Sequence, residues 1–339
     1  MDLISVIMSN YNGAKYIEEA IESVLNQTIE NWELIIVDDC STDLSVEVIK
    51  KFNDKRIKLI INDKNIGPAK SRNKAIEVSN GKYIAILDSD DIAYSDRLEK
   101  QYNYMEKNNI DVLGCGALFF GKYNKKFIPK IKNKDIRAET ILISPYVHST
   151  VMLRKNVIGI RYNEEFRQAQ DYKLWSDLFK NKSIKFAALE SILVKYRVHD
   201  NQITKNSYSG QSKNANKIRA SFFEFYNISL NDYEFELIER FFLGNCKLNN
   251  NEMSKVIDLY DLIIENEKKE NTVNLKILVF RIKMQIIKNI INGSKLGNTY
   301  SKSKLRECKS NIINDLFLEC FNIYERVFYG NIFKKKSLE

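Results

Sequence analysis

Residues 34–43 read Leu34-Ile35-Ile36-Val37-Asp38-Asp39-Cys40-Ser41-Thr42-Asp43, an apolar, β-branched run that ends in a polar loop. Continuous apolar character is typical of a strand that is buried on both faces of a parallel sheet. Similar apolar runs occur at 3–8 and 83–87, followed by polar residues at 9–13 and 88–91 respectively. A further short run, 57–61, precedes a turn at 65–68. These four runs are therefore predicted to be strands.

Helical patterns separate the four strands. Residues 16–25 carry apolar side chains at helical spacing, and the polar loop after Val37 supplies N-cap candidates for a helix running to about Phe52. Pro68 suits the first turn of a third helix, which Gly81 ends. Strand–helix–strand units in series predict an α/β fold with a mostly parallel, doubly wound sheet.

Polar clusters stand where the predicted strands end, at Ser9 to Tyr11, at Asp38-Asp39 and at Asp88-Ser89-Asp90-Asp91. Ligands of open α/β sheets bind outside this edge. Three carboxylates in the last cluster suit Mg²⁺ or Mn²⁺, although an acidic loop by itself can be a solvated turn. The G-x-G-x-x-G and P-loop patterns are missing, which disfavours ordinary dinucleotide and NTPase sites.

The residue composition disfavours several kinds of site and segment. The 339 residues include five scattered cysteines without a CxxC pair and two histidines, which disfavours zinc sites and a disulfide framework. No apolar stretch approaches the roughly 20 residues of a membrane helix. The first eight residues lack the basic start of a signal peptide. We therefore expect a reduced, cytoplasmic protein.

The second half of the chain has a different character. Residues 1–204 hold 31 Lys and Arg against 28 Asp and Glu, whereas residues 205–339 hold 22 against 16. The excess of positive charge in residues 205–339 is typical of proteins that bind anionic partners, but it is equally typical of a surface whose lysines are only solvated. We predict a catalytic domain at 1–204 and an all-helical appendage at 205–337.

An aromatic stripe near the C-terminus, at 314–333, precedes Lys334-Lys335-Lys336. This arrangement allows peripheral contact with the inner face of the cell membrane. Packing against the catalytic domain or against a second subunit is the favoured alternative, and in the second case the protein would be a homo-oligomer. No recognised nucleic-acid-binding motif accompanies the positive charge, so we expect no nucleic-acid partner.

Five motifs in order resemble the family 2 glycosyltransferases: residues 5–12, 19–28, 33–43, 65–73 and the DxD-like 88–91. The resemblance covers about 1–204 and implies a GT-A fold. It further implies inverting transfer of a sugar from a nucleotide-sugar, aided by Mn²⁺ or Mg²⁺, to a glycan or lipid-linked hydroxyl in cell-surface polysaccharide synthesis. A uridine nucleotide is favoured, with dTDP and GDP donors open.

The resemblance also implies roles for single residues. Asp39 would bond the nucleobase, Tyr11 would flank it, and Asp88 would face the ribose. The remaining nucleotide-sugar contacts would be Ser9, Arg72, Ser89 and Asp90. The metal would be held by Asp90, Asp91 and His199. His199 could equally be a local hydrogen-bond partner, and Arg72 a surface charge.

Residues 168–175 resemble the family's segment that carries the catalytic base, with Asp171 at the base position and Gln170 in place of the preceding acid. Asp171 could instead cap its helix, whereas Trp175 is expected in the core. His148 could line the acceptor pocket.

Two other functions compete with the transferase. A sugar-nucleotide nucleotidyltransferase also uses an α/β sheet and Mg²⁺, but residues 9–13 match its Gly-rich loop poorly. A catalytically degenerate nucleotide-sugar or membrane-binding module would use the basic helical half instead.

Overall fold

A computed structural model describes residues 2–159, 161–199, 208–243 and 248–295. The chain divides into two compact units, Met1–Gln211 and Ser212–Glu339. The aromatic stripe and the lysine cluster predicted for membrane or subunit contact lie outside the described residues. Within those residues, no helix is both long and apolar enough to cross a lipid bilayer.

One sheet organises the first unit, and nine strands of the described chain build it. The strands are β1 Ile4–Asn10, β2 Trp32–Asp38, β3 Ile57–Ile61, β4 Tyr83–Ile86, β5 Ile92–Ala93, β6 Val112–Gly121, β7 Lys125–Phe127, β8 Met152–Arg154 and β9 Phe186–Val198. The strand order is β3-β2-β1-β4-β8-β6-β9-β5, and β7 pairs with β6.

The first four strands are parallel, which confirms the predicted doubly wound half. β8 then lies antiparallel between β4 and β6. β6 consequently runs in the same direction as β4, and β9 pairs parallel to β6. The carboxyl ends of β1, β2, β4, β6 and β9 therefore meet at one edge of the sheet, and the polar clusters follow three of those strands.

Six helices lie between the strands of the first unit. They are α1 Ile17–Leu25, α2 Ser45–Lys50, α3 Pro68–Val78, α4 Arg97–Asn108, α5 Asn133–Thr140 and α6 Gln170–Lys180. Short 3₁₀ turns occupy His148–Thr150 and Lys155–Gly159. Pro68 stands in the first turn of α3, as predicted.

Apolar clusters cover both faces of the sheet. Along β1, Ile7 packs into one cluster, whereas Val6 and Met8 pack into the other. Since side chains alternate along a strand, a strand buried on both faces is apolar at successive positions. This is why the runs that predicted the strands do not alternate with polar residues. Trp175 is fully buried, in the core as expected.

The predicted N-caps after β2 are wrong. α2 begins at Ser45, and the preceding Leu44 makes no side-chain cap. The polar side chains of this loop bind the loop after β1: Asp43 Oδ2 accepts from the Ala14 N–H at 3.0 Å and Ser41 from the Asn12 N–H at 2.9 Å. The other oxygen of Asp43 accepts from the Ser45 N–H at 3.0 Å, so Asp43 joins the start of α2 to the loop after β1 from the position before the N-cap.

The second unit is helical in its described residues. Its helices are α8 Asp232–Leu243, α9 Asn250–Glu270 and α10 Leu275–Lys295, and α7 Tyr208–Phe225 begins before the division at 211. Asn249 and Glu252 form a capping box at the start of α9. Near its end the buried Glu267 accepts bonds from the Tyr226 hydroxyl and from the Thr272 and Val273 N–H groups.

A buried arginine joins the two halves of the sheet. Arg97, on α4, donates to the carbonyls of Ile86 and Val151 at 2.9 and 3.3 Å. Its Nε donates to Gln101 at 3.0 Å, and Gln101 donates to the Leu113 and Thr150 carbonyls. The network satisfies carbonyls where parallel β4 gives way to antiparallel β8.

Arg97→Met should lower the free energy of unfolding by about 3 kcal/mol, because buried carbonyls lose charge-assisted donors that no water replaces. Urea denaturation measures this change. Lys100→Met, on the exposed face of the same helix, should cost less than about 0.5 kcal/mol. Equal effects of the two substitutions would contradict the bridging role.

Candidate active site

Asp39 lies buried at the carboxyl end of β2, where it fixes the neighbouring loop. Its Oδ1 accepts from Asn62 Nδ2 and the Ile66 N–H, each at 2.9 Å, and its Oδ2 accepts from the Gly67 N–H at 2.8 Å. Gly67 has a φ of +88°, which glycine adopts without strain. Described residues thus occupy three of the about four acceptor positions of this carboxylate.

Ser9 and Tyr11 flank this position. Ser9 pairs with Val37 in the β1–β2 register, and Tyr11 follows β1 with 52% of its surface exposed. Ser89, in the loop after β4, has its hydroxyl close to Gly13 of the loop after β1. The three residues therefore lie along the same edge as Asp39.

Asp88 is the most strongly held carboxylate of the β4 cluster. Arg72 Nη2 donates to its Oδ1 at 2.7 Å, and His148 Nδ1 lies 3.1 Å from its Oδ2. Burial acts to raise the pKa of Asp88, but the charges of His148 and Arg72 hold that pKa well below its ordinary value. Asp88 is thus ionised and fixed, and Arg72 is not a free surface charge.

Asp90 and His199 meet across the site. His199 Nε2 lies 2.9 Å from Asp90 Oδ2, and the His199 ring packs 4.7 Å from the Tyr16 ring. Burial and the charge of Asp88 raise the pKa of Asp90, while the bond to His199 opposes the rise. Arg197 Nε donates to the Asp90 carbonyl at 2.9 Å and so holds the loop in place.

Asp91 is directed away from the surface and is fully buried. Its Oδ1 accepts from the Arg197 N–H at 2.8 Å, and its Oδ2 accepts from the Ser149 hydroxyl at 2.5 Å. Burial and the charges of Asp90 and Asp88 raise its pKa well above the ordinary value. Both oxygens of Asp91 thus serve the packing of the loop.

No group of three or more His, Cys, Asp or Glu side chains in the described ranges could enclose a metal ion. Asp90 and His199 nevertheless supply two adjacent donors beside a second carboxylate, Asp88. Mg²⁺ and Mn²⁺ commonly take few protein ligands and complete their shell with water and substrate phosphates. The residues therefore fit a cation that is shared with a diphosphate, but not one enclosed by protein alone.

A cleft of about 300 Å³ opens beside this cluster. Its walls include three of the predicted site residues, Arg72, Asp88 and Asp171, and also His148. The lining also includes three aromatic residues, namely Phe119, Tyr146 and Tyr196. The other predicted residues lie outside the lining.

Asp171 stands in the first turn of α6, and its Oδ2 accepts from the Ser144 hydroxyl at 3.0 Å. The residue before α6 is Ala169, which makes no side-chain cap and has a φ of +56°. An alanine in this left-handed region is strained by about 1 to 2 kcal/mol. The strained turn aims the start of α6 at the cleft.

Gln170 connects this turn to Arg72. Its Oε1 accepts from Arg72 Nη1 at 3.0 Å, and its Nε2 donates to the Arg167 carbonyl at 2.9 Å. A glutamate could accept the first bond but could not donate the second. Gln170, which replaces the acid of the family pattern, therefore makes a hydrogen bond to the Arg167 carbonyl that a carboxylate could not make.

Sequence reasoning missed the support behind His148. The Tyr162 hydroxyl lies 2.8 Å from His148 Nε2, and Asn73 holds the Tyr162 backbone through its N–H and carbonyl, each at 2.9 Å. Tyr162 lies in a loop without periodicity, and no local pattern links it to α3. Arg197, two residues before His199, was likewise not predicted to have a role, although its N–H and Nε bind the loop after β4.

The order β3-β2-β1-β4, carboxylates along its carboxyl edge and an adjoining cleft define a GT-A fold, an architecture of nucleotide-sugar-dependent transferases. The sequence model described as Glycosyl transferase family 2 matches residues 5–193, more than half of the chain. The chain therefore belongs to glycosyl transferase family 2 and is a glycosyltransferase. This assignment favours transfer over the nucleotidyltransferase and binding-module alternatives.

Curated relatives agree with the family. A glycosyltransferase of Methanocaldococcus jannaschii is 40% identical over 215 residues, covering 60% of this chain and 74% of the relative. An Escherichia coli enzyme, UDP-Glc:alpha-D-GlcNAc-diphosphoundecaprenol beta-1,3-glucosyltransferase WfgD, is 34% identical over 212 residues, covering 61% and 81%. Staphylococcus aureus TarS 1-349, solved in complex with UDP-GlcNAc, shares the fold with a TM-score of 0.59 at 21% identity, covering 88% and 93%.

Ala169→Gly should raise the free energy of unfolding by up to about 1 kcal/mol, because glycine relieves the left-handed strain. Urea denaturation measures the change. Ala75→Gly, inside α3, should have the opposite sign and cost about 1 kcal/mol or more. Destabilisation by both substitutions would show that Ala169 is not strained.

Proposed function

We propose that this glycosyltransferase moves a sugar from a UDP-sugar to a hydroxyl of a lipid-linked glycan, with inversion and with the aid of Mn²⁺ or Mg²⁺. The observation that carries the proposal is the cleft, which has the Asp171 carboxylate on one wall and the fixed Asp88 and Arg72 on another. The named donor and acceptor of the WfgD relative support this choice of substrates. Such an enzyme would act in cell-surface polysaccharide synthesis at the inner face of the membrane.

The nucleotide would bind along the edge formed by β1, β2 and β4. The fourth acceptor position of Asp39 would accept from the imide N–H of uracil, and the exposed Tyr11 ring would offer a surface for stacking. Ser9 and Ser89 would contact the nucleotide, and Asp88 the ribose side. Arg72, already bonded to Asp88, would lie near the diphosphate.

Asp90 and His199 would hold the divalent cation together with the diphosphate. A bound cation would neutralise negative charge on the departing nucleoside diphosphate. Burial and the charge of Asp88 raise the pKa of Asp90. A cation bound beside Asp90 would offset this repulsion between the two carboxylates, which supports a cation site here. Asp91, with both oxygens bonded, would support the loop from behind.

Asp171 would act as the general base. The acceptor oxygen would attack the anomeric carbon as Asp171 takes its proton, and the bond from that carbon to the diphosphate oxygen would break with its electron pair leaving on the diphosphate. Ser144 donates to Asp171 Oδ2 and so orients the carboxylate. A single base on the face opposite the leaving group gives inversion.

Asp171→Asn should lower kcat by at least about 1,000-fold, because the amide cannot accept the proton. Radiolabelled sugar transfer measures the rate, and UDP affinity by calorimetry should change less than about threefold. Asp177→Asn, six residues further along the same helix and paired with Lys173, is the matched control and should keep its activity. Turnover of Asp171→Asn near the wild-type rate would remove Asp171 from the base role.

Asp90→Asn should abolish the gain in UDP affinity that Mn²⁺ provides, because one of two protein ligands loses its charge. Thermal shift with UDP, with and without Mn²⁺, measures that gain. In EDTA the variant and the wild type should bind UDP equally. An unchanged response to Mn²⁺ would argue against the Asp90 and His199 site.

A further inference from the structure

A continuous stretch of the first unit carries positive charge only. Residues 112–134 contain six lysines and neither Asp nor Glu. The remainder of residues 1–204 holds 25 basic against 28 acidic residues, a net charge of −3. The positive charge of the catalytic half is therefore concentrated in one segment rather than spread over its surface.

This segment forms a hairpin with exposed apolar side chains. Residues 119–134, here named the basic hairpin, comprise the end of β6, β7 and the chain that leads into α5. All six of its lysines are exposed: Lys122, Lys125, Lys126, Lys130, Lys132 and Lys134. Tyr123, Ile128 and Ile131 are 51%, 48% and 37% exposed among them.

Backbone bonds hold the basic hairpin in position at both ends. The Lys122 N–H donates to the Val198 carbonyl and the Ala188 N–H to the Ile131 carbonyl, each at 3.2 Å. Gly121 turns the chain at a φ of +103°, where a Cβ would stand 2.7 Å from the Val198 oxygen. The exposed residues thus project from a fixed base.

The chemistry of this surface points to one partner. We propose that the basic hairpin docks on the surface of an anionic phospholipid bilayer. Lysines near such a surface are attracted to its headgroups, and exposed aromatic and aliphatic side chains gain by entering the interface. A nucleic acid would use the lysines but would leave Ile128 and Ile131 exposed to water, so a bilayer accounts for more of the surface.

The location of the basic hairpin gives docking a consequence for the active site. β6 ends at the carboxyl edge, as β4 does, and Phe119 near its end lines the cleft. Phe119 also packs against Tyr196, another lining residue, with ring centroids 4.8 Å apart. Docking would bring the cleft close to the plane from which a lipid-linked acceptor is presented. Binding to the bilayer itself does not depend on the proposed reaction.

Flotation of the full chain with vesicles tests the proposal, using phosphatidylcholine with and without about 30% phosphatidylglycerol. The wild type should float with the anionic vesicles at low salt and be released at high salt. Lys125→Gln/Lys126→Gln/Lys130→Gln should weaken partitioning about 100-fold, because each neutralised lysine costs about fivefold. Tyr123→Ser/Ile128→Ser should weaken it about tenfold or more at equal charge.

The matched control is Lys51→Gln/Lys55→Gln/Lys58→Gln, which removes the same charge from exposed positions around β3, at the opposite edge of the sheet. It should bind as the wild type does, and all variants should keep the wild-type melting temperature. Failure of the wild type to float, or equal losses in both triple variants, would overturn the proposal. Tighter binding to a single-stranded RNA than to vesicles, lost in the hairpin variant, would assign the surface to nucleic acid instead.

Discussion

The guanidinium of Arg72 is the constraint on which the rest of the site depends. One of its nitrogens binds Asp88 at 2.7 Å, at the end of β4, and another binds Gln170 at 3.0 Å, at the start of α6. The charge of Asp88 balances that of Arg72 in a largely buried position, which makes the pair costly to separate. Arg72 therefore fixes the spacing between the sheet edge and the helix that carries Asp171.

Other interactions hold the same two parts of the site, the end of β4 and the start of α6. His148, which Tyr162 holds by its hydroxyl, also contacts Asp88. The left-handed turn at Ala169 sets the direction in which α6 starts. Strain in such a turn persists only where surrounding bonds determine the conformation. The bonds of Gln170 to Arg72 and to the Arg167 carbonyl provide that determination.

The sequence predicted the parts of the fold that local patterns encode. β3 was predicted at its observed bounds, and the strands at 3–8, 34–37 and 83–87 to within a few residues, because each is a largely apolar run beside a turn. The antiparallel insertion of β8 was not predicted, since three strand residues carry little pattern and their partners are distant in sequence. The N-cap after β2 was wrong because α2 begins one residue later than the polar loop allows, at Ser45 after Leu44, and Asp43 is shared between the Ser45 N–H and the loop after β1.

The site residues also divide into those that local motifs predicted and those that they did not. Motif order located Arg72, Asp88 and Asp171, which the structure brings to one cleft. The role of Gln170 could not be predicted, because it depends on Arg72, which lies 98 residues earlier in the chain. The sequence also could not distinguish Asp90 from Asp91 as a metal ligand, because both are neighbouring acids in the same loop. The structure distinguishes them, since both side-chain oxygens of Asp91 are already bonded.

The central claim is that the donor lies along the carboxyl edge, with its diphosphate between the nucleotide edge and the cleft. A crystal structure of the chain with UDP and Mn²⁺ tests it most directly. We predict that the uracil lies within hydrogen-bond distance of Asp39, and that the cation contacts Asp90, His199 and the diphosphate. A uridine bound away from Asp39, or a diphosphate remote from Asp90, would contradict the account.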